Sequence, residues 1–223
     1  MELKDFNKIY EKEGIYQMKF RHYRRWWRER NWRMLAECVE EGDIVLDLAS
    51  GPGVLGDYII AKGGHPTGID ASAQAVELSD AFAEKVCWGE MTKIPFRNNA
   101  FTLVLCSLSL HYLLPDELCL CLDEVKRVLW GKGRFAFSYP NMALKPPTSD
   151  AMELEWEILE TILRKSGFVV DSRKGISPFF PGWLIKLAQS PYFWLLKPYL
   201  EWRAERVLHR PDESYHYIVE THV

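Results

Sequence analysis

Between residues 43 and 140, short apolar runs alternate with stretches in which apolar residues recur every three or four positions. The longer spacing is typical of one face of a helix, whereas the short runs are typical of strands. The run FTLVLCSLS at 101–109 is almost wholly apolar, as expected for a strand covered on both faces. This alternation predicts a parallel sheet with right-handed crossover helices. The predicted strands are 44–49, 65–70, 85–90, 101–109 and 133–140, and the predicted helices are 54–63, 72–84 and 115–129.

The regions on either side of this block have different patterns. Residues 1–41 are charged, aromatic and helical in pattern, and residues 150–170 predict an acidic amphipathic helix followed by a short strand. Residues 175–223 are rich in Trp, Phe, Tyr and Pro and end in a strand. Since no repeat or linker separates these regions, the 223 residues are expected to form one domain. Its predicted parts are an N-terminal helical cap (1–41), a core (42–174), an insertion (175–212) and a final strand (213–223).

Composition and charge argue against several classes of protein. The chain has 28 Lys and Arg against 31 Asp and Glu, so its formal charge of −3 gives no general case for nucleic-acid binding. The five cysteines include no CxxC pair, so neither a disulfide framework nor a metal site is expected, and reduced thiols suit the cytoplasm. Residues 1–14 lack the apolar stretch of a signal peptide. The apolar segment 183–202 contains two lysines and two prolines, so it is not expected to span a membrane.

The segment VLDLASGPGVLG (45–56) predicts a strand that leads through a glycine-rich turn into a helix. Gly51 and Gly53 let the backbone approach a ligand closely, and the helix N-terminus offers free N–H groups. Asp70, at the end of the next strand, lies where the hydroxyls of a ribose would be bound. NAD enzymes and other proteins that bind adenosine cofactors share both features, and a turn that binds nothing is the simplest alternative. Asp47 favours a ligand with a positive charge or an ammonium group over a pyrophosphate, which it would repel.

Four ordered segments resemble the class I S-adenosylmethionine (SAM)-dependent methyltransferases, in particular the small single-domain group that modifies metabolites, quinones and lipids. VLDLASGPG is similar to the family's V-L-D-x-G-x-G-x-G loop, and GIDAS to the acid at the end of its second strand. GEMTKIPFRNNAFTLVLCSLSLHYL is similar to its G-D-A-x-x-L-P-F-x-d-x-s-F-D-x-V stretch, and EVKRVLWGKGRFAFS to its E-x-x-R-V-L-K-P-G-G connection. The resemblance covers residues 43–170 and implies a Rossmann-like α/β fold, a sheet of seven mostly parallel strands with helices on both faces. Residues 167–173 and 215–223 resemble the family's sixth strand and its antiparallel last strand.

The resemblance implies SAM as the cofactor, with S-adenosylhomocysteine as its product, and assigns contacts residue by residue. The implied contacts are Asp47, Ala49, Gly51 and Gly53 in the loop, Asp70 and Ala71 at the ribose and adenine, Glu90 and Met91 at the adenine, and Ser107 and Leu108 below the sulfonium. The sequence departs from the family's pattern at four places, two of which are Thr102 in place of the usual Asp before the fourth strand and WGKG in place of K-P-G-G. Ala49 replaces the first loop glycine, which is a mild change if its φ stays below zero. Glu90 replaces the usual Asp and would reach the adenine amino group through a longer arm.

Methyl transfer from a sulfonium is an in-line displacement with an activated donor, so the protein mainly supplies orientation. A base is needed only where the acceptor must lose a proton. His111 lies just past the fourth predicted strand, at the edge of the sheet where ligands bind in such folds. It is a candidate for that base, and the alternative is a histidine that orders the loop. Its neighbour Tyr112 is a candidate substrate contact.

Residues 16–33 combine seven Lys and Arg with six aromatic side chains. Three interpretations are open: a stacking surface for RNA, a helix over the cofactor with an arginine on its carboxylate, or an amphipathic helix packed on the core. The resemblance favours the second, because an N-terminal helix commonly covers the cofactor in this family. The residues suspected of cofactor contact are Tyr10, Tyr16, Arg21 and His22.

The insertion 175–212 stands where the family has a short connection between its last two strands. Because the sixth strand is expected to be parallel to the others, its carboxyl end would open at the ligand-binding edge. The aromatic content of the insertion predicts a lid or an apolar acceptor pocket, with Phe179, Phe180 and Trp183 as candidate substrate contacts. One alternative is that the insertion forms helices that pack on the sheet. Another is that these helices form the interface of a homodimer, where the protein would otherwise be a monomer. The last is an element that inserts into a membrane surface.

Together these observations predict a methyltransferase that uses SAM and acts on an oxygen, nitrogen or carbon atom of a small hydrophobic or aromatic acceptor. An RNA or protein acceptor is the alternative within this class, although the net charge argues against nucleic acid. An NAD-dependent oxidoreductase would share the loop and Asp70, but no Tyr-x-x-x-Lys pair stands in the expected region. A binding module that has kept the fold without catalysis is the last alternative.

Overall fold

The computed structural model describes residues 22–79, 85–141, 143–144, 154–178, 180–188 and 193–223. The helices are α1 (His22–Ala36), α2 (Val54–Ala61), α3 (Ala73–Leu78), α4 (Pro115–Val128), α5 (Trp156–Lys165), α6 (Gly182–Ala188) and α7 (Phe193–Val207). The strands are β1 (Ile44–Leu48), β2 (His65–Asp70), β3 (Lys85–Trp88), β4 (Phe101–Ser107), β5 (Leu129–Pro140), β6 (Val169–Pro178) and β7 (Ser214–His222). Short 3₁₀ turns lie at Leu110–Tyr112 and Pro211–Glu213.

Within the described residues the strands form one seven-stranded sheet in the order β3-β2-β1-β4-β5-β7-β6. The pairs among β1 to β5 are parallel, and β7 runs antiparallel to both of its neighbours. This confirms the predicted Rossmann-like sheet with an antiparallel last strand. The chain winds outwards from β1 in one direction and from β4 in the other. Open α/β sheets bind ligands at such a reversal of strand order, beyond the carboxyl ends of the strands.

The central strand β4 shows why its sequence is almost continuously apolar. Leu103 and Leu105 pack on the face of the sheet covered by α1 and α2. Val104 and Cys106 point the other way, into the larger cluster formed with α4 and α5. All four side chains are completely buried. The helices therefore cover both faces of the sheet, as the resemblance implies.

Several element boundaries differ from those predicted. β3 ends at Trp88 instead of 90. β5 begins at Leu129 instead of 133, because its first residue already pairs with β4. β6 continues to Pro178 instead of 173, because β7 pairs along most of its length. α3 ends at Leu78, and residues 80–84 of the longer predicted helix lie outside the described residues.

The helix α1 and the insertion helices pack against each other. Trp26 of α1 is buried in one apolar cluster with Phe180, with Leu184 of α6 and with α7. Arg30 donates from Nε to a backbone carbonyl of β6 at 2.8 Å, and its Nη1 lies 3.0 Å from the Glu205 carboxylate. The described part of the predicted cap is therefore joined to the predicted insertion, and the two do not form separate appendages.

Gly175 fixes the close approach between β6 and the end of α7. A Cβ at this position would overlap the carbonyl oxygen of Val207, and the Gly175 N–H donates to the Leu208 carbonyl at 3.1 Å. We therefore expect Gly175→Ala to lower the free energy of unfolding by about 1–3 kcal/mol through overpacking. Urea denaturation would measure the change. The exposed neighbour offers a control, since Lys174→Ala should stay within about 0.5 kcal/mol of the wild type. Equal stability of the two variants would contradict the close approach.

Candidate active site

The loop between β1 and α2 forms one wall of the site. Gly51 and Gly53 have φ angles of 60° and 88°, a left-handed conformation that glycine adopts without steric cost. Ala49 has a φ of 58°, so the condition for a mild replacement of the family's glycine is not met. A residue with a Cβ costs about 1–2 kcal/mol in this conformation, and such strain is often found at functional sites.

Asp70, at the carboxyl end of β2, is hydrogen-bonded to this loop. Its Oδ2 accepts a hydrogen bond from the Gly51 N–H at 2.8 Å, and its Oδ1 accepts one from the Ser72 N–H at 2.8 Å. Burial raises the pKa of the Asp70 carboxyl, and the two backbone donors oppose that shift. The predicted ribose-binding acid therefore has a second role that the sequence did not indicate, since it fixes the backbone of the glycine-rich turn.

Asp47 is a buried carboxylate in the penultimate position of β1. In the sheet it is in register with Gly68 of β2 and Leu105 of β4. Burial is the main cause of the raised pKa of the nearby Cys106 thiol, and the charges of Cys121 and Asp47 add to it. A cationic group stabilises a buried carboxylate, so the position suits a ligand with an ammonium group.

The residues predicted at the adenine follow β2 and β3. The backbone carbonyl of Ala71 accepts a hydrogen bond from Trp88 Nε1 at 3.1 Å. The backbone of Glu90 pairs with that of Lys93 in an isolated antiparallel β-bridge just after β3, and the half-buried Met91 packs against the larger apolar cluster. The strands therefore bring Ala71, Glu90 and Met91 to the same edge of the sheet as Asp70.

The end of β4 is held by side-chain hydroxyls. Ser107 Oγ accepts a hydrogen bond from Asn31 Nδ2 of α1 at 2.8 Å. The N–H of Leu108 donates to Ser138 Oγ at 3.0 Å, and Leu108 has a φ of 53°. Like Ala49, Leu108 is therefore a residue with a Cβ in a left-handed conformation. Backbone strain of this kind is often found at functional sites, so its presence in both loops indicates a functional site at this end of the sheet.

His111 lies in the 3₁₀ turn that follows β4 and is buried. Its ring centroid is 4.2 Å from that of Tyr112, and it meets the ring of Tyr139 edge-on at 6.1 Å. These contacts fix the orientation of the imidazole, which fits both of the predicted roles.

A cavity of about 290 Å³ opens where β1 and β4 end. Of the predicted site residues, it is lined by Ala49, Gly51, Ser107, Leu108, His111 and Tyr112. It is also lined by Trp27, Arg28, Asn31, Trp32, Ser50, Val54, Ser109, Pro140 and His216. Asp47, Gly53, Asp70, Ala71, Glu90 and Met91 are not part of this wall. The structure thus separates the predicted residues into a cavity group and a group along β1, β2 and β3.

The residues of α1 and β7 on this wall were not predicted individually. The four from α1 follow the spacing i, i+1, i+4, i+5, which places them on one helix face and could have identified them. His216 could have been found only from strand register, which pairs it with Pro140 of β5. Its ring centroid is 4.6 Å from that of Trp27, whose Nε1 donates to Ser177 Oγ at 3.1 Å.

The two predicted substrate contacts of the insertion that the structure describes, Phe180 and Trp183, lie away from the cavity. Phe180 is buried against Trp26 and the insertion helices, and Trp183 is exposed, so neither lines the cavity. The physical reason is that α1 lies between: one of its faces packs on the insertion and another lines the cavity. Phe179, Tyr10, Tyr16 and Arg21 lie outside the described residues, as does the side chain of His22. Arg28 is therefore the arginine of α1 that the structure brings to the cavity.

The described residues contain neither a metal-binding cluster nor a membrane-spanning helix. In that part of the chain no group of three or more His, Cys, Asp and Glu side chains is arranged to hold a metal ion. Among the same residues no helix is both long and apolar enough to cross a bilayer.

Comparison with known proteins agrees with this architecture. The family described as "Methyltransferase domain" matches residues 46–137. The chain is 29% identical over 148 residues to an uncharacterized methyltransferase of Synechocystis sp., covering 60% of this chain and 70% of that protein. It is 31% identical over 100 residues to malonyl-[acyl-carrier protein] O-methyltransferase of Erwinia billingiae, covering 44% of this chain and 39% of that protein. A chain of a Haloferax volcanii complex that contains the Trm112 methyltransferase activator aligns with a TM-score of 0.69 at 16% identity, covering 99% of this chain and 98% of that chain.

The fold, the glycine-rich loop and the matched domain define a class I methyltransferase. Residues 46–137 therefore match a methyltransferase domain of the SAM-dependent class, and the cofactor of that class is SAM. The residues present fit that cofactor. The loop offers backbone in left-handed conformations for close approach, Asp47 and Asp70 supply acids of the expected kind, and Arg28 is a cation at the cavity.

Proposed function

We propose that the protein methylates an oxygen, nitrogen or carbon atom of a small acceptor with an apolar or aromatic body. The size and lining of the cavity support this proposal most strongly. At about 290 Å³, the cavity is just below the usual range of small-molecule sites, about 300–1,000 Å³, and the acceptor would share it with the methionine portion of the cofactor. Trp27, Trp32 and Tyr112 supply aromatic walls, and α1 runs along one side of the opening. A folded protein or an RNA helix would not enter such a space.

The cofactor supplies an activated methyl group on a sulfonium when it is bound. On this proposal the methionine portion lies along Ala49 and Gly51 of the loop and beside Ser107 and Leu108. Asp47 would attract its ammonium group, and the guanidinium of Arg28 would bind its carboxylate through charge-assisted hydrogen bonds. Asp70 accepts hydrogen bonds from the ribose hydroxyls, and Glu90 and Met91 contact the adenine.

The chain then has to orient the acceptor and, for a hydroxyl or amine, to accept its proton. Orientation of the acceptor within the cavity lowers the barrier of such reactions by several kcal/mol. In favourable cases the reduction is about 7–11 kcal/mol. His111 and His216 both line the cavity, and a neutral imidazole is a base suited to neutral pH. We assign the role of proton acceptor to His111, because it follows β4 and lies beside Leu108 on the proposed sulfonium side of the cavity.

Calorimetric titration with S-adenosylhomocysteine, with NAD as the parallel ligand, tests the cofactor assignment. We expect binding of the first and none of the second. Arg28→Gln should weaken binding about 10- to 150-fold, because it removes a charged hydrogen bond of about 1.5–3 kcal/mol. Arg25→Gln is the matched control, since Arg25 lies one turn away, is exposed and pairs with Glu29 at 2.8 Å. An equal loss in both variants would indicate a general effect on α1 and would contradict the proposed carboxylate contact.

An RNA or protein acceptor is the second candidate. The observation in its favour is that α1 carries five arginines, and a structural neighbour is found in a complex with a methyltransferase activator. Incubation with SAM labelled in the methyl group would separate the acceptor classes. We expect the label in the small-molecule fraction of a cell extract, and label retained in RNA or in protein would favour the second candidate.

A further inference from the structure

The helix α7 is apolar on two opposite faces. Its inner face is buried against β6 and α1 and consists of Leu200, Ala204 and Val207. Its outer face consists of Trp194, Leu195, Pro198, Tyr199 and Trp202, all of which are exposed. At 3.6 residues per turn these two sets lie on opposite sides of the helix. A helix that is apolar all round is expected to be buried, either within a protein or in a membrane.

The exposure of this outer face is large. The exposed fractions are 67% for Trp194, 59% for Leu195, 46% for Tyr199 and 50% for Trp202. The preceding helix α6 adds Trp183 and Leu187, four residues apart and also exposed. We call Trp183, Leu187, Trp194, Leu195, Tyr199 and Trp202 the aromatic face. Single exposed apolar residues are common, but a cluster that contains three tryptophans indicates a binding surface.

The charge around the aromatic face is positive, although the chain as a whole is negative. The segments 22–36 and 182–207 carry nine Lys and Arg and three Asp and Glu, whereas the remainder carries 19 and 28. Arg206 lies over the ring of Trp202, with its guanidinium carbon 3.9 Å from the ring centroid. Lys197 is half-exposed on the same helix. Trp26 of the first segment packs against the second, so the two segments lie together and their combined net charge is positive.

We propose that the aromatic face docks on the surface of a lipid bilayer that contains anionic lipids. Helices that lie in the membrane interface are typically rich in tryptophan and tyrosine, with lysine and arginine beside them. The apolar rings enter the acyl boundary while long basic side chains reach the headgroups. With 15 residues, α7 is too short to cross the hydrocarbon core, so it would lie in the plane of the interface.

A second copy of the chain fits this surface less well. Two-fold dimers bring the same patch of both subunits together, and here that would oppose two positively charged surfaces. An anionic bilayer offers the opposite charge and an apolar layer at once, so charge complementarity selects the bilayer.

Sedimentation of the full-length protein with vesicles tests this proposal. We expect it to pellet with vesicles that contain phosphatidylglycerol, to pellet less as salt is raised, and to remain in solution with pure phosphatidylcholine. Trp194→Glu should lower the partition coefficient at least about tenfold, because it removes a large apolar side chain from the interface. Trp130→Glu is the matched control, because Trp130 is 62% exposed at the start of β5 and undergoes the same change of charge.

Several outcomes would overturn the proposal. These are no binding to any vesicle, equal binding by Trp194→Glu and the wild type, and an equal loss in Trp130→Glu. A dimer in light scattering that Trp194→Glu dissociates, without vesicle binding, would assign the face to a second copy. Binding of S-adenosylhomocysteine by each variant verifies that it is folded. Because vesicle binding needs no acceptor, its outcome is independent of the proposed methyl transfer.

Discussion

Asp70→Ala is expected to weaken the binding of S-adenosylhomocysteine by at least about 100-fold, which corresponds to about 2.7 kcal/mol. Two effects add. The carboxylate is the proposed acceptor for the ribose hydroxyls, and hydrogen bonds to a charged group contribute about 1.5–3 kcal/mol. The same carboxylate accepts from the N–H groups of Gly51 and Ser72, so its loss also releases the loop along which the methionine portion would lie. Calorimetric titration would measure the change.

The pH dependence of binding gives a second measurement on Asp70. Burial raises the pKa of this carboxyl, so it becomes protonated at a higher pH than an ordinary aspartate. A protonated carboxyl accepts fewer hydrogen bonds, and we therefore expect affinity to fall on acidification, earlier than an exposed aspartate would predict. Asp70→Asn keeps the shape of the side chain but cannot titrate, so its weaker affinity should not change over this range. Unchanged affinity of Asp70→Ala would show that the ribose is bound elsewhere.

The central sheet could be predicted because burial on two faces leaves a simple pattern. In β4, Leu103 and Leu105 face one helix layer while Val104 and Cys106 face the other, so nearly every position must be apolar. The acid at the end of β2 could be predicted for a similar reason, since the fold brings strand ends together. Position along the chain then determines position at the site.

Backbone conformation at the site could not be predicted from residue type. Ala49 and Leu108 have φ angles of 58° and 53°, which a sequence pattern assigns to glycine. Their strain is compensated by surrounding contacts, such as the hydrogen bond from the Leu108 N–H to Ser138 Oγ. Such contacts join residues distant in sequence, and local propensity carries no information about them.

The packing of the insertion also could not be predicted from the sequence. Its aromatic composition is equally consistent with a pocket, a packed helix or an exposed surface. The structure divides it: Phe180 is buried beside Trp26, while Trp183 and Trp194 are exposed. The position of α1 determines which of these side chains are buried, because α1 occupies the space between the insertion and the cavity. That position depends on contacts such as Arg30 with Glu205, which no local pattern reveals.

His111→Ala is expected to lower turnover by about 100- to 10,000-fold, the usual contribution of a general base, while leaving the affinity for S-adenosylhomocysteine unchanged. The reason is that His111 lines the cavity but is not among the residues proposed to contact the cofactor. The measurement is the rate with the acceptor found by methyl labelling, at saturating SAM. A general base must be unprotonated to act, so in the wild type kcat/KM should fall on acidification. That dependence should disappear in His111→Ala, because the group that titrates has been removed.

The same measurements separate a base from a histidine that orders the loop. A loop-ordering role predicts that His111→Ala loses cofactor affinity together with turnover and keeps the pH profile of whatever rate remains. Tyr112→Phe keeps the ring 4.2 Å from the imidazole and removes only the phenol hydroxyl, so it should keep the pH profile even if the loss of a substrate contact raises the KM for the acceptor. His216→Ala completes the comparison, because His216 is the second imidazole on the cavity wall. If His216→Ala removed the pH dependence and His111→Ala did not, His216 would be assigned as the base. A proton acceptor is needed only where the methylated atom loses a proton, so a pH-independent rate in all three variants and in the wild type would instead indicate an acceptor that has no proton to lose.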